Sequence, residues 1–233
     1  MAPPEVAEAH KFAYWAWSNP AAPRTLLCVH GLTRNGRDFD YLAQEFTDHY
    51  TVLSPDMPGR GKSDWLGDTK NYHYDTYLAD ILALLDSRKL TQIDWVGTSM
   101  GGILGMRVAA ERPGLIRKLV LNDIGAVIPL AGLKRINDYV GFTTMFASRE
   151  EAEAHLRKIM ATFGITKEEH WQHFIDCSFT QLSNGEYQIA YDPGILDPLR
   201  DSAQKLTAET DTLLWGWWDN IKCPVLVIRG EHS

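Results

Sequence analysis

Residues 95–103 read WVGTSMGGI, with Ser99 set between Gly97 and Gly101 and followed by a second glycine, Gly102. A serine at the tip of a tight strand-to-helix turn can act as a nucleophile towards a carbonyl carbon. Such a turn strains the backbone and brings the residues two positions away on either side too close for side chains. Glycines at 97 and 101 remove that collision. The same turn aims the Met100 N–H, at a helix N-terminus, towards negative charge growing on a substrate oxygen. Outside this context the pattern would be a serine N-cap without chemistry, so the flanking elements decide its meaning.

Those elements have the required kinds. QIDWVG (92–97) is a short apolar run rich in β-formers, and GGILGMRVAAERP (101–113) has helical spacing ended by Pro113. Upstream, KFAYWAWS (11–18), TLLCVHG (25–31) and YTVLSPDMP (50–58) read as strands. RDFDYLAQEFTD (37–48), with Phe39, Leu42 and Phe46 on one side, and YDTYLADILALLDSRKL (74–90) read as helices. IRKLVLNDIG (116–125) and CPVLVIRG (223–230) add two strands. Continuous apolar strands alternating with helices imply an α/β fold, with a mostly parallel sheet covered by helices on both faces.

Residues 126–210 break this rhythm. REEAEAHLRKIMATFG (149–164) and KEEHWQHFIDCSF (167–179) are helical patterns, and LSNGEYQIAY (182–191) is a hairpin or a loop. An insertion this long between sheet strands is expected to form a helical cap. The expected division is therefore a core from 1–125 and 211–233, with a cap at 126–210.

Bulk composition bounds the function. The 233 residues carry 45% hydrophobic and 23% charged side chains, as in an ordinary globular domain. A net charge of −7 and the lack of a Lys/Arg cluster argue against a nucleic-acid partner. No apolar run approaches the roughly 18 residues of a spanning helix, and MAPPEVAEAHKF lacks the pattern of an export signal. Three widely spaced cysteines, Cys28, Cys177 and Cys223, do not suggest a disulfide framework, and a cytoplasmic setting is expected.

VHGLTRNGRDF (29–39), SPDMPGRGKSD (54–64) and VGTSMGG (96–102), each following a strand, together resemble the α/β-hydrolase fold family, in its esterase-like branch with a helical cap. The resemblance runs along nearly the whole chain. It implies an oxyanion hole formed by the N–H groups of Leu32 and Met100, with His30 and Gly31 shaping the first of these loops. It also implies that the PGRG turn, Pro58–Gly61, borders the site; read alone it is only a tight turn. Thr33, Arg34 and Asn35 are expected at the site entrance or on a solvated loop.

The family's usual carboxylate follows the VLVIRG strand by three residues, where this sequence has Ser233. A minority of the family places the acid after the preceding strand, which here supplies Asp123. A buried carboxylate there suits the task of orienting an imidazole; the alternative is a turn residue bonding nearby N–H groups. The family's base histidine sits beyond one further strand, which this sequence does not reach. Among the eight histidines His232 lies nearest the right rim, in the acid's neighbourhood. The chain is therefore expected to be C-terminally truncated, and inactive as it stands.

His170, His173 and Cys177 share one helix face and could hold zinc, though a packing surface explains them as well. Trp215, Trp217 and Trp218 read as packing anchors between cap and core. The resemblance implies a carboxylesterase acting on small to medium apolar acyl groups, without metal or organic cofactor. Hydrolysis of a carbon–carbon bond in a diketone uses the same machinery, and a non-catalytic ligand-binding module is the reading of a different class.

Overall fold

The computed structural model describes residues 9–129, 132, 144–198 and 212–231. Strands β1 (Tyr14–Trp17), β2 (Thr25–Val29), β3 (Thr51–Pro55), β4 (Ile93–Thr98) and β5 (Ile116–Asn122) follow one another, with helices between them from β2 onward. These helices are α1 (Asp40–Phe46), α2 (Tyr74–Ser87) and α3 (Met100–Glu111). After β5 come the short β6 (Val127–Ile128), β7 (Met145–Phe146), α4 (Arg149–Ile159) and α5 (Glu168–Ser178). Next are β8 (Phe179–Gln181), β9 (Tyr187–Ile189), β10 (Thr212–Leu213), α6 (Trp215–Trp218) and β11 (Val225–Ile228).

The main sheet runs β1-β3-β2-β4-β5-β11, parallel throughout except for β1, which pairs antiparallel with β3. Every residue of β2 is buried, as a strand covered on both faces requires. Trp95 in β4 is fully buried, and its indole N–H donates to the Gly101 carbonyl at 3.0 Å. That bond joins the strand to the first turn of α3 and satisfies the only polar atom of the buried ring. At the sheet's far edge Leu226, Val227 and Ile228 of β11 are 57%, 48% and 46% exposed. No helix among the described residues is long and apolar enough to cross a membrane.

The segment between β5 and β11 has its own small core. Leu156 and Met160 pack against Trp171 and Ile175, and β7-β9-β8 form an antiparallel sheet. The 182–191 stretch contributes a hairpin strand, β9, reached through Gly185 at φ 90°. Parts of this segment, 130–131, 133–143 and 199–211, lie outside the described residues.

Three expectations are corrected. Residues 37–48 do not form one helix with Phe39 and Phe46 on a common face. A 3₁₀ turn at Gly36–Phe39, capped by the Asn35 side chain, precedes α1, so Phe39 is buried while Phe46 is 41% exposed. Arg34 and Asn35 are not on a solvated loop: both are buried against the C-terminal end of α5. Of the three tryptophans, Trp217 and Trp218 pack on the main core, but Trp215 is 46% exposed.

Candidate active site

Ser99 sits between β4 and α3 at φ 49°, ψ −111°, a region that side-chain-bearing residues rarely occupy. Its N–H donates to the Asn122 carbonyl at 2.9 Å. Its own carbonyl accepts from Gly102 and Ile103 at 2.9 and 3.0 Å. The backbone is thus held on both sides, while Ser99 Oγ has no hydrogen-bond partner among the described residues and the residue is partly exposed.

The glycines are sterically required. A Cβ on Gly97 would lie 2.3 Å from the Gly101 carbonyl oxygen, and one on Gly101 would lie 2.0 Å from that of Val29. Gly102 faces Ile124 in the same way, with 2.4 Å to its Cγ2. Strand, turn and helix therefore touch backbone to backbone, which the spacing of the motif anticipates.

The loop after β2 faces this turn. A Cβ on Gly31 would stand 3.8 Å from Ser99 Cβ. The Gly31 carbonyl accepts from His30 Nδ1 at 2.6 Å and from the Arg34 N–H at 3.2 Å. In a trans peptide the C=O and the following N–H point in opposite directions, so holding Gly31 O also orients the Leu32 N–H. Neither the Leu32 nor the Met100 N–H has an acceptor among the described residues.

His30 is fully buried, and its Nε2 accepts from the Met57 N–H at 3.0 Å. Burial lowers its pKa to about 3, opposed by the bond to Gly31. With both ring nitrogens occupied and the ring neutral, His30 shapes the loop and has no lone pair to offer as a base.

Asp123 follows β5 at φ 57°, and its N–H donates to the Ile228 carbonyl at 2.8 Å. Contrary to expectation it is exposed, because it is the first residue past the strand and its left-handed turn carries it over the sheet's rim. Ser233 and His232 lie outside the described residues.

Five of the other histidines are engaged elsewhere, and His49 is exposed beyond α1. His10 bonds Asp80 at 3.0 Å, and His73 caps α2 by accepting from the Asp75 and Thr76 N–H groups. His155 packs beside Phe146. His173 donates through Nε2 to the Arg37 carbonyl at 3.1 Å, with Asp40 Oδ2 at 3.4 Å and Cys177 Sγ at 3.8 Å. The His170/His173/Cys177 face is thus turned onto residues of the Gly36–Phe39 turn and α1 of the core, with Tyr41 against both imidazoles.

Two buried charged residues beside the site were not anticipated from sequence. Asp56 accepts from the Gly36 and Lys62 N–H groups at 2.7 and 2.8 Å and from the Trp15 indole, bracing the loops after β2 and β3. Burial pushes its carboxyl above the usual range, against those hydrogen bonds. Arg60, in the PGRG turn, is fully buried and donates to the Leu32 carbonyl at 2.8 Å. The turn also binds the segment after β9: Gly61 N–H donates to Ala190 O at 3.0 Å and Asp192 N–H to Gly59 O at 2.7 Å. A charged residue between two glycines carries no sequence signal of burial; only its contacts reveal it.

A model of the alpha/beta hydrolase fold family matches residues 24–233. The chain belongs to that family. This alpha/beta-hydrolase is 39% identical over 228 residues to a 3-hydroxybutyrate-oligomer hydrolase of Cupriavidus necator, covering 96% of this chain and 78% of that one. A Rickettsia typhi protein assigned as a hydrolase, known from its crystal structure, superposes with a TM-score of 0.86 at 37% identity. That match covers 94% of this chain and 73% of the other. An alpha/beta hydrolase from Novosphingobium aromaticivorans gives a TM-score of 0.79 at 31% identity, covering 96% and 81%. The hydrolase is thus similar over most of its length to longer members of the family.

Proposed function

We propose that this alpha/beta-hydrolase cleaves carboxylic esters through an acyl-enzyme formed on Ser99. The observation that carries the reading is a partly exposed serine, held at positive φ beside two backbone N–H groups that have no acceptor among the described residues. Ser99 Oγ attacks the ester carbonyl carbon and gives its proton to a histidine outside the described residues. The carbonyl oxygen becomes an oxyanion and is held by the N–H groups of Leu32 and Met100; each such donor contributes about 10²–10³ in rate. Collapse expels the alcohol oxygen, which takes the proton from that histidine. Water then cleaves the acyl-enzyme by the same route, returning the serine hydroxyl and releasing the acid. Asp123 orients the histidine, and residues 126–210 act as the cap over the core of 1–125 and 211–233.

For substrate, we infer small to medium apolar acyl esters, with short oligomers of 3-hydroxybutyrate first among them. Such oligomers are joined by ester bonds, and the Cupriavidus necator relative bears that activity in its name. The test is intact-mass analysis of the full-length protein, base histidine included, after exposure to a fluorophosphonate, beside turnover of a 3-hydroxybutyrate dimer and a simple aryl ester. One adduct and ester turnover, both absent from Ser99→Ala, are expected. Folded full-length protein giving neither adduct nor turnover would remove the esterase reading and leave a ligand-binding module.

A further inference from the structure

The side chain of Arg60 is placed where a hydrolase of this kind has most use for a positive charge. Its guanidinium donates through Nε to Leu32 O at 2.8 Å, and through Nη1 to Pro58 O at 2.6 Å and the Tyr77 hydroxyl at 2.7 Å. Nη2 lies 3.8 Å from Met100 Sδ. The group also stands 5.0 Å from the Tyr77 ring centre. No carboxylate among the described residues lies within salt-bridge distance of it. Asp192, beside the same turn, instead accepts on Oδ2 from the Tyr72 hydroxyl at 2.6 Å.

A fully buried cation with no carboxylate beside it among the described residues is costly, and a neutral side chain could staple the turn more cheaply. We propose that Arg60 is a positioning residue for the oxyanion hole, a role that rests on the esterase reading above. It touches both residues whose N–H groups face the developing charge, Leu32 through its carbonyl and Met100 through its sulfur. His30 and the Arg34 N–H fix the Gly31–Leu32 peptide, and Arg60 fixes the Leu32–Thr33 peptide. Residue 32 therefore has the peptides on both sides pinned. The guanidinium also supplies a standing positive charge behind the hole, in place before reaction and needing no reorganisation when the oxyanion forms.

The test compares wild type with Arg60→Gln, which removes the charge, and Arg60→Lys, which keeps it without the planar fork. Thermal midpoints show which variants are folded. In Arg60→Gln, kcat for ester turnover is expected to fall about 10²-fold with KM within about threefold. Arg60→Lys should fall less, and the amide ¹H–¹⁵N signals of Leu32 and Met100 should shift in both. A merely structural arginine would instead leave kcat in the folded variants within about threefold of wild type, which overturns the proposal. If full-length wild type, base histidine included, shows no turnover, the esterase reading fails on its own. Unshifted Leu32 and Met100 amides in Arg60→Lys would then overturn the positioning role separately.

Discussion

Ser99 and Asp123 are joined through a single peptide. The Asn122–Asp123 peptide accepts the Ser99 N–H on its carbonyl at 2.9 Å and donates its own N–H to Ile228 O at 2.8 Å. Both residues stand one step beyond paired strand ends, Thr98 opposite Asn122, and both have positive φ, 49° and 57°. Adjacent parallel strands thus deliver the proposed nucleophile and acid at the same level of the sheet's C-terminal rim, where open α/β sheets bind ligands.

The strain at Ser99 predicts a stability difference between two inactive variants. Glycine occupies positive φ without steric penalty, whereas alanine keeps the Cβ. Ser99→Gly should therefore be more stable than Ser99→Ala by about 1 kcal/mol. Chemical denaturation of the two proteins reads this directly, and equal midpoints would show that the turn is not strained.

Asp123→Asn tests the acid. Asparagine tolerates the left-handed conformation at φ 57°, so the fold should be kept. If the carboxylate orients the base, kcat should fall by as much as about 10⁴-fold, the cost seen when a triad acid becomes an amide. Turnover within about threefold of wild type would assign the acid elsewhere and leave Asp123 as a turn residue.

The burial of His30 sets a pH dependence of stability. Its folded pKa, about 3, lies below the ordinary value of 6.5, so on acidification the unfolded chain takes up the proton first. The stabilisation is fully present above about pH 6.5 and is lost as pH falls towards 3, amounting to about 2 kcal/mol between pH 7 and pH 5. Asp56 works in the opposite sense, because its raised pKa makes the folded state bind its proton first. His30→Asn should flatten the fall in unfolding free energy between pH 7 and 5. A variant whose profile runs parallel to wild type would refute this assignment.

The loop that carries Leu32 is also tied to α5. Asn35 Nδ2 donates to the Cys177 carbonyl at 2.7 Å, and Arg34 Nη1 to Ser178 Oγ at 2.6 Å. The Arg34 guanidinium lies 3.6 Å from the centre of the Phe174 ring. These groups serve the unpaired carbonyl end of a helix from outside it, where positive charge is favourable. Asn35→Ala leaves a helix-end carbonyl without its donor, at a cost of about 1–3 kcal/mol. Hydrogen exchange should quicken across 168–178 and stay unchanged in β4; equal quickening in both would mean that the tie is not local.

The local chemistry of the Ser99 turn is legible in the sequence alone. Gly97, Gly101 and Gly102 around Ser99, between an apolar strand and a helix, state a steric requirement that few other backbones impose, and motif order extends it to the fold. These are short-range facts: each residue's neighbours along the chain decide whether its conformation is possible. What lay beyond that reach was decided by the tertiary structure. Asp123 reads as a buried carboxylate in LVLND, yet the turn past β5 sets it out on the rim. Arg34, Asn35 and Arg60 read as loop residues, and loops ordinarily carry polar groups because they meet water. Here Asn35 and Arg60 face carbonyls and a hydroxyl from other segments, and Arg34 pairs with Asp38 while reaching Ser178, 144 residues away, so they are buried with partners in place of water. Burial of a polar side chain depends on which distant groups can satisfy it, and only the assembled fold brings those groups together.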